Sequence, residues 1–319
     1  MARLDNLSVP ITFLNGDRVS GLRGETEAET YRRAKSTLVV AAAPPGQFKF
    51  KPIPPSADYQ FHLAQGCPAH CQYCYLAGSL GGPPLTRVYA NLDEILANLQ
   101  SYLKPDRDVS FEASCYTDPL ALEHLTGSLS KCISFFGNLE RARLRYVSKF
   151  ANVTPLLTLE HGGNTRARAS VNAAPVERLE GGTASVSERL NALRQLALPK
   201  AEGGGGYPVG LVIAPIMPGD GWREAYGELF DDIGAVLSGA CDLTFELITH
   251  RFTAKSKRVL KGWYPATKLD FDQTPRSVKR GKFGGEKYIY PKAIMADLRA
   301  FFETELKRRF PSARILYWT

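Results

Sequence analysis

The chain has 319 residues, 44% of them apolar, with 40 Lys plus Arg against 32 Asp plus Glu and a net charge of +8. That is ample for one large α/β domain or two ordinary ones, and no run of about 18 apolar residues is present to span a membrane. Six cysteines with no signal peptide exclude a secreted disulfide framework and predict a cytoplasmic protein, and the positive balance favours an anionic partner, most commonly nucleic acid.

Residues 1–50 are polar, then Ala- and Pro-rich (AAAPPG), and only partial order is expected there. Residues 51–250 alternate short apolar runs with amphipathic stretches. A strand is expected at 59–63, and a loop with Cys67, Cys71 and Cys74 follows it. A helix at 92–103 and a strand at 109–113 come next. One helix is then expected over 120–136, where Leu122, Leu125, Leu129, Ile133 and Phe136 recur at helical spacing. Strands at 144–148 and 169–172, a helix at 186–198, a strand at 209–216, a helix at 222–237 and a strand at 243–248 complete the series. Strands alternating with helices predict parallel βα units, and six units are too few to close an eight-stranded barrel. The expected fold is therefore α/β, a partial (β/α)6 barrel. Residues 251–319 are expected to form a hairpin and a helix. Their 255–292 stretch interleaves Lys and Arg with Trp263, Tyr264, Phe283, Tyr288 and Tyr290.

The segment GCPAHCQYCYL carries the chemistry. Its C-x3-C-x2-C spacing brings the thiolates of Cys67, Cys71 and Cys74 from one loop, suited to three irons of a [4Fe–4S] cluster. The fourth iron is then left open for a small molecule. A structural zinc site takes four Cys or His ligands, and no second C-x2-C exists here; Cys115, Cys132 and Cys241 stand singly. His70 is either a fourth ligand or a solvated loop residue. With Tyr73 just before the last cysteine, the segment resembles the signature of radical S-adenosylmethionine (AdoMet) enzymes. The site is expected at the carboxyl ends of the strands.

Further segments sharpen the resemblance: PSADYQFHLAQGCPAHCQYCYL, FEASCYTDPLALEHLTGSL, RYVSKFANV, RASVN, VGLVIAPI and KFGGEKYIYPK occur in order. Together they resemble the spore photoproduct lyase family, a radical AdoMet group of DNA-repair enzymes, from about Lys35 to Lys292. The resemblance implies a radical AdoMet partial barrel that returns the thymine dimer 5-thyminyl-5,6-dihydrothymine to two thymines. It implies a [4Fe–4S] cluster on Cys67, Cys71 and Cys74, AdoMet as second cofactor, and lesion-bearing DNA as partner. An electron donor such as flavodoxin or ferredoxin and a monomeric state go with it. A 5′-deoxyadenosyl radical would take hydrogen from the lesion, and Cys115 would return a hydrogen atom to the product radical.

Tyr75 is the expected radical relay, and Tyr73 is a relay, a wall of the AdoMet pocket or simple packing. Thr117, Lys149 and Ser170 match positions that grip the methionine part of AdoMet, and Ala214 one that meets the adenine through backbone. Asp118 and His124 also match, with a helix-capping role favoured for Asp118. Arg276, Lys279, Arg280 and Lys282 are the expected phosphate contacts. Two departures stand out. Ser277 and Val278 occupy the place of an Arg-Tyr pair on the hairpin, and Tyr116 follows Cys115 where the family has a small residue. Tyr264 or Tyr288 is a candidate replacement for the missing tyrosine.

Overall fold

The computed structural model describes residues 9–16, 18–237, 242–280 and 285–319. One sheet organises it, and its spatial order follows the chain: β1 (Lys51–Ile53), β2 (Ala57–Phe61), β3 (Val109–Ala113), β4 (Ala142–Ser148), β5 (Thr165–Val171), β6 (Val209–Ile216), β7 (Thr244–Thr249) and β8 (Arg314–Trp318). β1 runs antiparallel to β2, and each later neighbour is parallel to the one before. Parallel strands added in sequence, each with a right-handed crossover, curl into an open half-barrel. The six expected strands are β2 to β7. The terminal strand β8 was not among the expected strands: RILYW is apolar and aromatic but too short to show a period, and three of its five residues are exposed.

The helices of eight or more residues are α1 (Glu27–Lys35), α2 (Leu92–Leu99), α3 (Ser128–Gly137), α4 (Val186–Ala197), α5 (Trp222–Leu237), α6 (Ala254–Trp263) and α7 (Lys292–Arg309). None in the described residues is long and apolar enough to cross a membrane. The helix expected over 120–136 is in fact two, Glu123–Thr126 and α3. Gly127 between them takes φ +64°, which ends the first turn, and the buried Glu123 carboxylate accepts from Leu129 N at 2.7 Å to start the second.

Strand alternation positions the site. On β4, Ala142, Leu144 and Tyr146 enter the core beneath the helices, while Arg143 and Arg145 face the other side. The same rule turns Glu112 of β3, Arg168 and Ser170 of β5, Ala214 of β6 and Glu246 of β7 to the concave face. There Arg168 bridges Glu112 and Glu246, at 2.7 Å to the latter, and Arg145 also reaches Glu246. Ser56 and Tyr317 complete the network at 2.8 and 2.6 Å. This balanced charge set fills the half-barrel and forms a floor. Ser170 lies two residues beyond Arg168, and Cys115 three beyond Glu112, so both stand above that floor.

The first 50 residues contribute more order than their composition suggests. Leu38–Ala41 pairs in parallel with Thr86–Tyr89, which in turn pairs with Ala64–Gln65 just before the cysteine loop. Tyr31 and Ala34 of α1 are buried, with Tyr31 stacked on Trp263 of α6 at 4.9 Å.

Candidate active site

The cysteine loop leaves β2 through Gly66, at φ +83°, where a Cβ would lie 2.1 Å from the Leu85 carbonyl oxygen. Only glycine fits that turn and that approach. The loop is then tied to segment 179–181: His70–Cys71 pairs antiparallel with Glu180–Gly181, and Gln72 N donates to Leu179 O at 2.9 Å. On its other flank, Lys35 of α1 donates to the carbonyls of Cys67 and Ala69. His70 accepts or donates at Nδ1 to Tyr31 O–H at 2.9 Å, so this ring docks α1 onto the loop.

All three loop cysteines are free thiols. Burial pushes Cys67 and Cys71 up to about 12 and Cys74 up to about 11, and each thiol feels the charge of at least one other. Backbone N–H groups oppose this: Ala69 points at Cys67, and Leu76 and Ala77 at Cys74. Thiols that face one another inside protein and receive main-chain donors fit an iron–sulfur cluster, whose sulfurs are tuned by such bonds. Among the described residues, no three Cys, His, Asp or Glu side chains converge tightly enough for a single metal ion.

Glu180, which had no signal in the sequence, is the hub beside this loop. Its side chain is fully buried and pairs with Lys149 at 2.7 Å and Arg189 at 2.6 Å, and it accepts a hydrogen bond from Tyr73 O–H. Burial acts to raise its pKa, but Lys149 and Arg189 outweigh it and hold the carboxyl below its ordinary value. Tyr73 is thereby fixed, with the Lys149 ammonium 5.5 Å from its ring centre. Lys149 is one of the cations near Cys71.

Cys115 follows Ser114, a non-glycine residue at φ +62°, whose Oγ accepts from Leu63 N at 3.1 Å. This left-handed residue turns the chain at the end of β3 and is locked by that bond to the end of β2. Burial, then the Glu112 charge, holds the Cys115 thiol far above its ordinary value, so it stays S–H. Tyr75 is 61% exposed, and desolvation of its phenol, then the nearby Cys115, Cys74, Cys67 and Tyr116, raise its pKa well above the usual value. Tyr75 thus lies at the same end of the half-barrel as Cys115 and the loop thiols. It has no hydrogen-bond partner among the described residues. Tyr116 packs on His62, ring centres 4.6 Å apart.

Thr117 Oγ1 is buried without a partner. Asp118 accepts from Lys149 N and Ser148 Oγ, both at 2.7 Å, and from Leu120 N at 3.1 Å. It therefore stitches the ends of β3 and β4 together and holds the turn at Leu120. The helix-capping role expected of it is not seen, because the next helix starts at Glu123 with Leu122 as its N-cap. His124 is exposed. Ser170 is buried on β5, and its carbonyl accepts from Arg189 at 2.8 Å. Ala214 stands on the neighbouring strand β6, where Val212 pairs with Ser170. Thr117, Lys149, Ser170 and Ala214 thus all lie at the strand ends around the loop.

The hairpin pairs Ser277–Arg280 with Glu286–Ile289. Lys279 sits directly opposite Lys287, and Arg280 is 82% exposed beside Glu286. Val278, 51% exposed, faces Tyr288, whose ring stacks on Phe252 at 5.3 Å. Arg276 departs from its expected role. Its guanidinium is 2% exposed, lies 3.8 Å over the Tyr290 ring and donates to His250 O, so it is packed inside rather than offered to a phosphate. Lys282 and Cys241 lie outside the described residues.

Comparison with known proteins now bears on this geometry. A family model described as "Spore photoproduct lyase" matches residues 2–319. The spore photoproduct lyase of Geobacillus sp. (strain Y412MC61) is 44% identical over 308 residues, covering 95% of this chain and 88% of the relative. That of Bacillus subtilis (strain 168) is 39% identical over 323 residues, covering 99% and 92%. A solved spore photoproduct lyase double mutant with bound AdoMet and dinucleoside spore photoproduct superposes with TM-score 0.89 at 43% identity, covering 95% and 88%. Another, complexed with dinucleoside spore photoproduct, gives 0.88 at 43% identity over the same shares. The half-barrel, its cysteine loop and these matches along nearly the whole chain place the protein in the spore photoproduct lyase family.

Proposed function

We propose that this protein is a radical AdoMet lyase that restores two thymines from 5-thyminyl-5,6-dihydrothymine in DNA. The observation that carries this reading is the gathering of the three loop thiols, Cys115 and Tyr75 at one end of the half-barrel, in a chain of this family. Cys67, Cys71 and Cys74 would hold a [4Fe–4S] cluster, which with AdoMet would supply the radical chemistry that takes hydrogen from C6 of the dihydrothymine ring.

The chain's own residues do the rest. Lys149 and Arg189 bring two positive charges to the one negative charge of Glu180. The remaining positive charge suits the methionine carboxylate of AdoMet, and the unpartnered Thr117 hydroxyl suits its polar end. Ser170 and Ala214 line the same strand ends. Cys115, held as S–H, gives its hydrogen atom to the thymine allyl radical left by cleavage. The resulting thiyl takes a hydrogen atom from the free O–H of Tyr75, regenerating the thiol and leaving a tyrosyl radical. Tyr73 is a wall of this pocket, because its O–H is committed to Glu180. Lys279 and Arg280 meet DNA phosphates, and the lesion leaves the stack to reach the mouth. A low-potential donor such as flavodoxin or ferredoxin provides the electron, in the cytoplasm, to a monomer.

The test is an anaerobic assay of reconstituted, dithionite-reduced protein with AdoMet and a spore-photoproduct dinucleotide, following thymine-thymine product and 5′-deoxyadenosine together. Repair that is lost or diverted in Cys115→Ala is the expected result. A second reading, the same radical chemistry on a different DNA lesion, is favoured by exposed Val278 in the place of a tyrosine. Release of 5′-deoxyadenosine without repair would select it.

A further inference from the structure

Helix α1 lies outside the half-barrel, yet Lys35 at its last position reaches the cysteine loop. The side chains of Tyr31, Ala34 and Lys35 share one face at i, i+3 and i+4. Tyr31 fixes that face through His70 at 2.9 Å, through Tyr264 O–H and by stacking on Trp263. Ala34 is fully buried. The Lys35 ammonium then donates to the Cys67 and Ala69 carbonyls, which uses two of its three N–H donors. Both carbonyls belong to the cysteine loop, so the ammonium is held against its backbone.

We infer that Lys35 is a positioning residue that also sets the reduction potential of the cluster held by Cys67, Cys71 and Cys74. The inference rests on the cluster-bearing reading above and goes beyond it, since it gives the N-terminal helix a part in the redox step. The physical argument is electrostatic. One electron from a low-potential donor adds a negative charge to a buried site that already carries three thiolates. In a low-dielectric interior that is costly, and a fixed cation held on the Cys67 and Ala69 carbonyls of the same loop lowers the cost. Cluster potentials respond to net charge, hydrogen bonding and solvent exposure. The other cations near the loop act differently: Lys149 and Arg189 share the Glu180 carboxylate, whereas Lys35 meets two neutral carbonyls and the Tyr31 ring.

The test is a redox titration of the reconstituted holoenzyme, with the reduced cluster read by electron paramagnetic resonance, in wild type, Lys35→Gln, Lys35→Arg and Tyr31→Phe. Glutamine keeps a donor for the carbonyls and loses the charge; arginine keeps the charge; Tyr31→Phe loosens the helix and leaves the charge in place. At the wild-type midpoint, Lys35→Gln should show a reduced-to-oxidised ratio about tenfold lower, equivalent to about 59 mV for one electron. Lys35→Arg and Tyr31→Phe should stay close to wild type. An unmoved midpoint in Lys35→Gln, even with poorer cluster retention, would reduce Lys35 to a clamp and overturn the inference. So would an equal shift in Tyr31→Phe or Lys35→Arg. If wild type itself takes up no cluster, it is the underlying reading that fails.

Discussion

The cysteine loop and the 277–289 hairpin are short segments on one scaffold, and they are built in opposite ways. The loop is tied on every side: Gly66 at its entry, segment 179–181 along one flank, Lys35 and Tyr31 of α1 along the other, and Glu180 behind Tyr73. The hairpin has its own ladder and one bridge from Tyr288 to Phe252, and all four residues of its first strand are exposed. Like charges, Lys279 and Lys287, even stand directly opposite, an arrangement that costs stability. Radical chemistry needs reacting atoms held in fixed geometry, so its loop is braced. On the proposed reading, DNA phosphates would relieve that repulsion when they meet the hairpin.

The sharpest break of this contrast is at the loop itself. Cys71→Ala removes a thiolate from the braced centre, and iron retention and 5′-deoxyadenosine formation should both fall to background. Glu180→Gln comes next. It leaves Lys149 and Arg189 buried without their anion, which should cost about 3–5 kcal/mol in thermal or denaturant unfolding. It should also raise KM for AdoMet more than it lowers kcat. The sign of its pH dependence follows from a carboxyl held below its ordinary value in the fold. That stabilisation is complete above the unfolded carboxylate pKa and is lost as pH falls through the folded one. The stability gap between wild type and Glu180→Gln should therefore close on acidification; a gap that widens would refute the assignment.

Arg276 tests where the hairpin's exposed surface begins. Its guanidinium sits over Tyr290, so Arg276→Ala should lose about 2 kcal/mol of stability and leave the salt dependence of DNA binding alone. A reduced salt slope would return it to the phosphate contacts. The smallest effects belong to Lys279→Ala and Lys287→Ala. Each should weaken DNA binding a few-fold and lower the salt slope by about 0.9. Melting should be unchanged or improve by a few tenths of a kcal/mol, since each removes one half of a repulsive pair.

Much of the architecture was legible because it is local. Alternation of period two on 142–148 and the returning apolar residues of 186–197 mark a strand and a helix without reference to the rest of the chain. The terminal strand β8 was ambiguous for the converse reason. Five residues are too few to show a period, three of them are exposed, and parallel pairing with β7 makes a strand of them. Likewise Arg276 reads as one more cation in a basic stretch until the fold wraps Phe252 and Tyr290 around it.

The sequence by itself determined the cysteine spacing, the six βα units, and the short motifs that put Cys115, Thr117 and Lys149 near strand ends. These depend on separations of a few residues, where backbone geometry dictates what can meet. Only the tertiary structure decided what surrounds the loop. Glu180 is 107 residues from Tyr73, and Lys35 is 32 from Cys67, with no motif linking either pair. Nothing in local periodicity says which distant carboxylate or ammonium a buried loop will meet. That follows from how segment 179–181 and helix α1 are laid against it, and burial then makes each such charge matter.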